Sequence, residues 1–163
     1  KNECLSLLNR LSKLQEVNIV VKGHTRGEDV GGLEKSELQS SSEISNLIYA
    51  DERSHSNVLI ARSVGVINFG SSIGLEAILQ GKPVCNPCYL TENETIFTGS
   101  GMVKDAHCDE DVLDFVSKAA SGQVVCAASS TQREEFLKEH VYGGIEARDV
   151  LGDHIRMFRL AIQ

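Results

Sequence analysis

Two serines follow a glycine at Gly70-Ser71-Ser72, between an apolar run and a segment with helical spacing. The first N–H groups of a helix are unpaired and its dipole is positive there, so a turn of this kind can receive a phosphate or diphosphate. Gly70 and Gly74 permit close approach of the backbone, and both serine hydroxyls can donate hydrogen bonds to phosphate oxygens. The segment from Gly70 through Ile73 to Gly74 is therefore a candidate phosphate-binding turn.

Glu76 follows Ser72 by four residues, so both side chains lie on one face of the predicted helix. A carboxylate in this place can accept hydrogen bonds from two hydroxyls, as the 2′ and 3′ hydroxyls of a ribose would offer. The alternative is purely structural: Ser71 or Ser72 caps the helix, and Glu76 stabilises the helix dipole.

His24 lies in a polar, glycine-containing segment that directly follows an apolar strand pattern, between Lys22 and Arg26. As an imidazolium it can bind a leaving phosphate, or it can supply a proton to that phosphate. Lys22 and Arg26 would add positive charge at the same place. The alternative for His24 is an ordinary solvated side chain of a loop.

The cysteines are odd in number (five) and scattered, which favours a reducing compartment over a disulfide framework. Cys85 and Cys88 have the CxxC spacing of zinc and redox sites, and His107 and Cys108 could complete a zinc site. However, the pair ends an apolar strand rather than opening a helix. We therefore interpret the cysteines as small buried hydrophobes and expect no metal.

The alternation of short apolar strands with helices predicts an α/β fold, a doubly wound, Rossmann-like parallel sheet with helices on both faces, in one domain over residues 1–163. Ser54 or Ser56 is expected to cap the second helix, and the Thr131-x-x-Glu134 pattern predicts a capping box. The expected strands cover residues 17–21, 46–50, 64–69 and 83–86. The expected helices cover about 3–15, a segment through 58–61, about 73–80, 109–120, a segment from 131, and about 146–161. Long loops are expected over 24–45 and 89–107. Because ligands bind beyond the carboxyl ends of parallel strands, the loops that begin at His24, Asp51, Gly70 and Asn86 are the expected place of the site.

The composition, with 41% hydrophobic and 24% charged residues, is that of a globular domain, and no apolar run approaches the ~20 residues of a membrane-spanning helix. The net charge of -7 repels polyanions, so we expect no nucleic-acid partner. The chain begins at Lys1 without a signal-like segment, so we expect a piece of a longer, cytoplasmic protein, peripheral at most to the inner face of the cytoplasmic membrane.

The stretch Gly70-Ser-Ser-Ile-Gly-Leu-Glu-Ala-Ile-Leu-Gln-Gly-Lys-Pro-Val84 resembles the "SS…EA…GKP" segment of bacterial GT-B-type transferases. It is most similar to the CDP-glycerol glycerophosphotransferase and capsular polysaccharide transferase superfamily, which includes CMP-sialic-acid and CMP-Kdo transferases. Members carry a K-P-H-P motif after the first strand of the C-terminal domain. Here Lys22-Gly-His-Thr25 stands in that place, so the histidine is kept and both prolines are absent.

This resemblance implies the donor-binding, C-terminal half of a two-domain enzyme, with the acceptor-binding half missing and the piece inactive alone. The donor would be a CMP-, CDP- or UDP-linked sugar or polyol, used in surface polysaccharide biosynthesis. His24, Ser71 and Ser72 would contact the donor phosphates, and Glu76 the ribose. Residues 76–84 also resemble UDP-sugar 2-epimerases and UDP-GlcNAc transferases, so an epimerase-like isomerase stays an alternative. A non-catalytic module that binds a phosphorylated ligand or a protein is another.

Overall fold

The computed structural model of the chain describes residues 2–23, 46–51, 53–91, 94–123 and 128–141, together with residues 149 and 152. The described helices are α1 (Asn2–Leu11), α2 (Ser56–Arg62), α3 (Ile73–Leu79), α4 (Asp109–Ala120) and α5 (Ser130–His140). The strands are β1 (Ile19–Val21), β2 (Leu47–Tyr49), β3 (Val66–Ile67), β4 (Val84–Pro87) and β5 (Lys104–Ala106), and a 3-10 turn covers Cys88–Leu90. The chain is therefore an α/β protein, as the alternation of patterns predicted.

The strand pairs of the described residues are all parallel. β1 pairs with β2 in a two-stranded sheet, and β4 lies between β3 and β5 in a three-stranded sheet. In the three-stranded sheet Ile67 lies opposite Cys85, and Asn86 lies opposite Asp105. The carboxyl ends of β3, β4 and β5 therefore meet at one edge of this sheet.

Helices pack on both faces of the three-stranded sheet, because adjacent residues of β4 belong to different apolar clusters. Val84 packs with buried residues of α2, α3 and α5, namely Ile60, Ala77, Ile78, Phe136 and Leu137. Cys85 packs with buried residues of α1 and α4, namely Leu7, Leu11, Val112, Phe115 and Val116. The alternation of side chains along a strand thus divides the core into two layers.

Two helix predictions agree closely with the structure. α4 covers the predicted residues 109–120, and α3 ends one residue before the predicted limit at Gln80. Gly81 has a φ of +68°, and its N–H donates to the carbonyl of Ile78 while that of Lys82 donates to the carbonyl of Ala77. These hydrogen bonds form a Schellman motif, so the glycine ends the helix as the sequence predicted.

Other boundaries were wrong. α1 ends at Leu11 rather than near residue 15, since the hydroxyl of Ser12 donates to the carbonyl of Asn9 and the chain turns there. Ser129, not Thr131, caps α5, because Gln132 completes the capping box with it. The N-cap of α2 is His55, and its side chain makes no capping hydrogen bond, so the expected serine cap is absent among the described residues.

β5 was not predicted, since its sequence Lys104-Asp-Ala106 lies in the segment taken as one long loop. β1 and β3 are shorter than the apolar runs that predicted them, because only part of each run pairs with a neighbouring strand. The predicted helix over residues 146–161 lies outside the described residues. Within the described part of the chain, no helix has both the length and the apolar composition needed to cross a membrane.

Candidate functional site

The Gly70 loop, defined as residues 70–72, joins the end of β3 to the start of α3. Gly70 has a φ of +71°, a conformation in which side chains are strained, so the chain can turn sharply only with glycine here. The N–H of Ser71 donates to Oδ1 of Asn68 at 3.1 Å, and the hydroxyl of Ser71 accepts from the N–H of Ile73 at 3.4 Å. The loop is therefore held in shape by the strand residue that precedes it.

Ser72 is exposed and occupies the N-cap position of α3, yet its side chain makes no capping hydrogen bond with the described residues. The helix therefore begins without this hydroxyl, and the capping interpretation fits Ser71 rather than Ser72. Glu76, half-buried, lies one turn further along α3. The predicted pair of a phosphate-facing hydroxyl and a diol-facing carboxylate is thus available on one helix face.

Gly74 is buried, and the reason for a glycine at this position lies inside the protein. A Cβ here would come within 2.8 Å of the Phe97 ring and 2.9 Å of Nδ2 of Asn68. The N–H of Gly74 already donates to the carbonyl of Ser71 at 3.2 Å. Packing accounts for this glycine by itself, and its predicted contact with phosphate stays a prediction.

The end of β1 lies beside the Gly70 loop. Val21, the last residue of β1, packs in the same apolar cluster as Phe69, which immediately precedes Gly70. Lys22 follows Val21 and is half-buried, and its predicted contribution of positive charge stays a prediction. His24 and Arg26 lie outside the described residues, and their predicted roles stay predictions.

A second loop lies against the Gly70 loop. It belongs to the segment after β4, which the sequence placed at the ligand-binding edge, although none of its residues was a predicted site residue. We call residues 94–101 the facing loop. A Cβ at position 70 would lie 3.6 Å from Cγ2 of Thr95, and the Phe97 ring covers Gly74 from the same side. The sequence offered only a weak signal for this loop, namely a polar stretch that follows a buried strand.

Three polar side chains near the carboxyl ends of neighbouring strands were not among the predicted site residues. Asn68, Asn86 and Asp105, which we call the polar row, follow or belong to β3, β4 and β5. Asn68 and Asn86 are each only 1% exposed. A polar residue that ends an apolar strand is the signal that could have identified the two asparagines, since a buried amide needs a hydrogen-bond partner. Asp105 lies in a strand without an apolar run and gave no such signal.

Cys85 and Cys88 differ in burial. Cys85 is fully buried, and burial raises its pKa to about 12. Cys88 is half-buried, and burial together with its hydrogen bond to Asp105 raises its pKa to about 11. Cys108 is exposed at the start of α4, so the interpretation of every cysteine as a buried hydrophobe is wrong there. The described residues contain no group of three or more potential metal ligands.

A comparison of the chain with protein-family models, with curated proteins and with solved structures finds no match. The geometry of the site combines a sharp glycine turn with an exposed hydroxyl and with a carboxylate one turn along the helix that follows. Such a combination suits a ligand that carries both an anionic phosphate and a pair of sugar hydroxyls.

Proposed function

We propose that this chain is the donor-nucleotide-binding domain of a GT-B-type glycosyltransferase or glycerophosphotransferase of surface polysaccharide biosynthesis. Its ligand is a sugar or polyol activated by CMP, CDP or UDP. The Gly70 loop carries the proposal, because an exposed Ser72 hydroxyl and Glu76 follow a positive-φ glycine at the carboxyl end of a parallel strand. The resemblance of residues 70–84 to the transferase segment supports the same assignment.

The order of the strands supports a ligand site at the Gly70 loop. We propose that the two sheets continue into one doubly wound, Rossmann-like sheet of a single domain, in the order β2-β1-β3-β4-β5. Ile19 of β1 and Ile67 of β3 pack in one apolar cluster, which supports their being neighbours. In that order the connections diverge between β1 and β3, and ligands of such folds bind at this switch point. Lys22 and Gly70 follow the two strands concerned.

In this proposal each residue has one task. Ser71 and Ser72 donate to the donor phosphates, and Glu76 accepts from the ribose hydroxyls. Lys22 and Arg26 supply positive charge, and His24 stabilises or protonates the leaving phosphate. In enzymes of the GT-B type the acceptor and its base belong to the other domain, so we expect this domain to bind the donor in the cytoplasm without turning it over.

The experiment is a calorimetric titration of the wild-type chain and Glu76→Gln with CMP, CDP, UDP and inorganic pyrophosphate. Glutamine keeps the shape and removes the charge, and hydrogen bonds to charged groups are worth about 1.5–3 kcal/mol each. We expect nucleotide affinity to fall about tenfold or more, at ~1.4 kcal/mol per decade. Pyrophosphate, which has no ribose, should bind almost as before.

Glu135→Gln is the matched control, because Glu135 is an exposed carboxylate on α5. It should leave the affinity for every ligand unchanged. Equal losses for nucleotide and pyrophosphate in Glu76→Gln would contradict the ribose assignment. A wild-type chain without saturable binding of any nucleotide would contradict the proposed function and favour a protein-interaction module.

A further inference from the structure

The polar row crosses the three-stranded sheet at its carboxyl edge. Asn86 lies opposite Asp105 in the register of β4 and β5. Asn68 follows Ile67, which lies opposite Cys85, and its N–H donates to the carbonyl of Cys85 at 2.8 Å. Asn68, Asn86 and Asp105 therefore occupy neighbouring positions on three successive strands.

Each end of the polar row holds one of the two loops. Oδ1 of Asn68 accepts the N–H of Ser71, which is in the Gly70 loop, at 3.1 Å. Oδ2 of Asp105 accepts the N–H of Gly99, which is in the facing loop, at 2.7 Å. The short second contact is made by a carboxylate, and such charge-assisted hydrogen bonds are stronger than neutral ones.

Asn86 joins Asp105 to the facing loop. Its Nδ2 lies 3.4 Å from Oδ1 of Asp105 and 3.4 Å from the hydroxyl of Thr98 in the facing loop. The hydroxyl of Thr98 in turn accepts the N–H of Thr95 at 3.3 Å. A chain of hydrogen bonds therefore runs from β5 through β4 to Thr95, the residue that lies against Gly70.

Stability alone does not explain why the polar row contains two buried asparagines. Nδ2 of Asn68 and Oδ1 of Asn86 are buried and have no partner among the described residues. Burying a polar atom without a partner costs stability, and an apolar residue of similar shape avoids that cost. Two asparagines are nevertheless placed at the strand ends that hold the two loops.

We infer that the polar row is a positioning device that sets the Gly70 loop and the facing loop relative to one another, with Asp105 as its anchor. The inference rests on the proposed function, because the two loops form the walls of the proposed nucleotide site. Asn68, Asn86 and Asp105 act through the loops and do not touch the ligand. Loss of the anchor releases the facing loop, so the nucleotide must order it again on binding, which weakens affinity.

The test combines native-state amide exchange with calorimetric titration of CDP and UDP, on Asp105→Ala and Asp105→Asn. Alanine removes both acceptors, and asparagine keeps one of them. We expect Asp105→Ala to speed exchange of the Gly99 amide about tenfold and to weaken nucleotide binding about tenfold, the equivalent of ~1.4 kcal/mol. The exchange rate and the nucleotide affinity of Asp105→Asn should lie between those of Asp105→Ala and the wild type. Asp114→Asn, at an exposed carboxylate on α4, is the control and should change neither quantity.

A double-mutant cycle separates positioning from simple loss of stability. Asn68→Ala should also weaken nucleotide binding, and the double variant with Asp105→Ala should lose less than the sum, because both act on one arrangement of loops. All titrations are made well below each melting temperature. Should Asp105→Ala fail to fold, Thr98→Val replaces it, since it breaks the link from Asn86 to Thr95.

Faster exchange at Gly99 with unchanged nucleotide affinity would overturn the inference and leave the proposed function standing. Strictly additive losses of affinity would overturn the coupling of the two loops in the same way. Absence of nucleotide binding by the wild-type chain would overturn both, and the wild-type titration alone reports that outcome.

Discussion

On one face of the three-stranded sheet two buried amides help to hold loops, whereas on the other face charged side chains in reach of solvent join two helices. The first face carries α2, α3, α5 and the facing loop, with Asn68 and Asn86 beneath them. On the second face Arg10 of α1 lies 3.2 Å from Asp109 and 2.8 Å from Glu110 of α4. The hydroxyl of Tyr89 also donates to Asp109.

The two faces differ in how far solvent reaches their polar contacts. The Arg10 contact is in reach of water, which screens ion pairs and makes them worth little. The side-chain amides of Asn68 and Asn86 are buried away from solvent, where hydrogen bonds are electrostatically stronger. A change in their geometry should therefore shift the loops that they hold. We therefore expect changes on the first face to affect ligand binding, and changes on the second to affect stability alone.

The largest effect is expected from a pair of buried phenylalanines, one for each face. Phe97 and Phe115 are each 2% exposed and pack in the two different clusters. Replacing either by alanine should cost about 3–5 kcal/mol of the free energy of unfolding, measured by denaturant titration. Only Phe97→Ala should also weaken nucleotide binding under conditions where both variants are folded, because Phe97 belongs to the facing loop. Equal affinities in the two variants would contradict the asymmetry of the faces.

A pair of glycines should give an intermediate effect. A Cβ at position 74 would lie 2.8 Å from the Phe97 ring, whereas one at position 65 would lie 3.2 Å from the Phe115 ring. Overpacking at Gly74→Ala costs about 1–3 kcal/mol, which the better helix propensity of alanine offsets by up to about 1 kcal/mol. Gly65→Ala should be close to neutral, since its neighbours need to move only slightly. Thermal melting of both variants measures these losses of stability. A loss for Gly74→Ala no larger than that for Gly65→Ala would show that the Phe97 ring moves aside at little cost.

The smallest effect is expected from the exposed charges, and it depends on pH. Arg10 lowers the pKa of Glu110, and the N–H of His107 lowers the pKa of Asp111. Because these folded-state pKa values lie below the unfolded ones, their stabilisation is complete above about pH 5 and is lost as pH falls through the folded values.

Arg10→Ala should therefore lower the melting temperature slightly at pH 7 and reduce its fall on acidification, leaving the part due to Asp111. High salt should reduce the difference between this variant and the wild type. Lys118→Ala, which removes an exposed ion pair with Asp114 on the same helix, is the control. If the melting temperature of Arg10→Ala falls with pH as steeply as that of the wild type, the Arg10 contact has no role in this pH dependence.

Local patterns in the sequence predicted the parts of this fold that local physics decides. The limits of α4 and the stop at Gly81 follow from helical spacing and from a glycine in the left-handed conformation. β5 escaped prediction because Lys104-Asp-Ala106 carries no apolar run and becomes a strand only by pairing with β4. In the same way the Gly70 loop was visible as a motif, whereas the polar row depends on which strands are neighbours.

The strands β3, β4 and β5 are neighbours in the same order in which a ribosome makes them. Each can therefore join the one before it during synthesis, without waiting for a later segment to insert between them. Asp105 belongs to the last of the three, so the facing loop gains its anchor after the Gly70 loop and Asn68 have already been synthesised. A nascent chain halted before β5 would thus carry the Gly70 loop complete in sequence and lack the carboxylate of Asp105, which holds the facing loop.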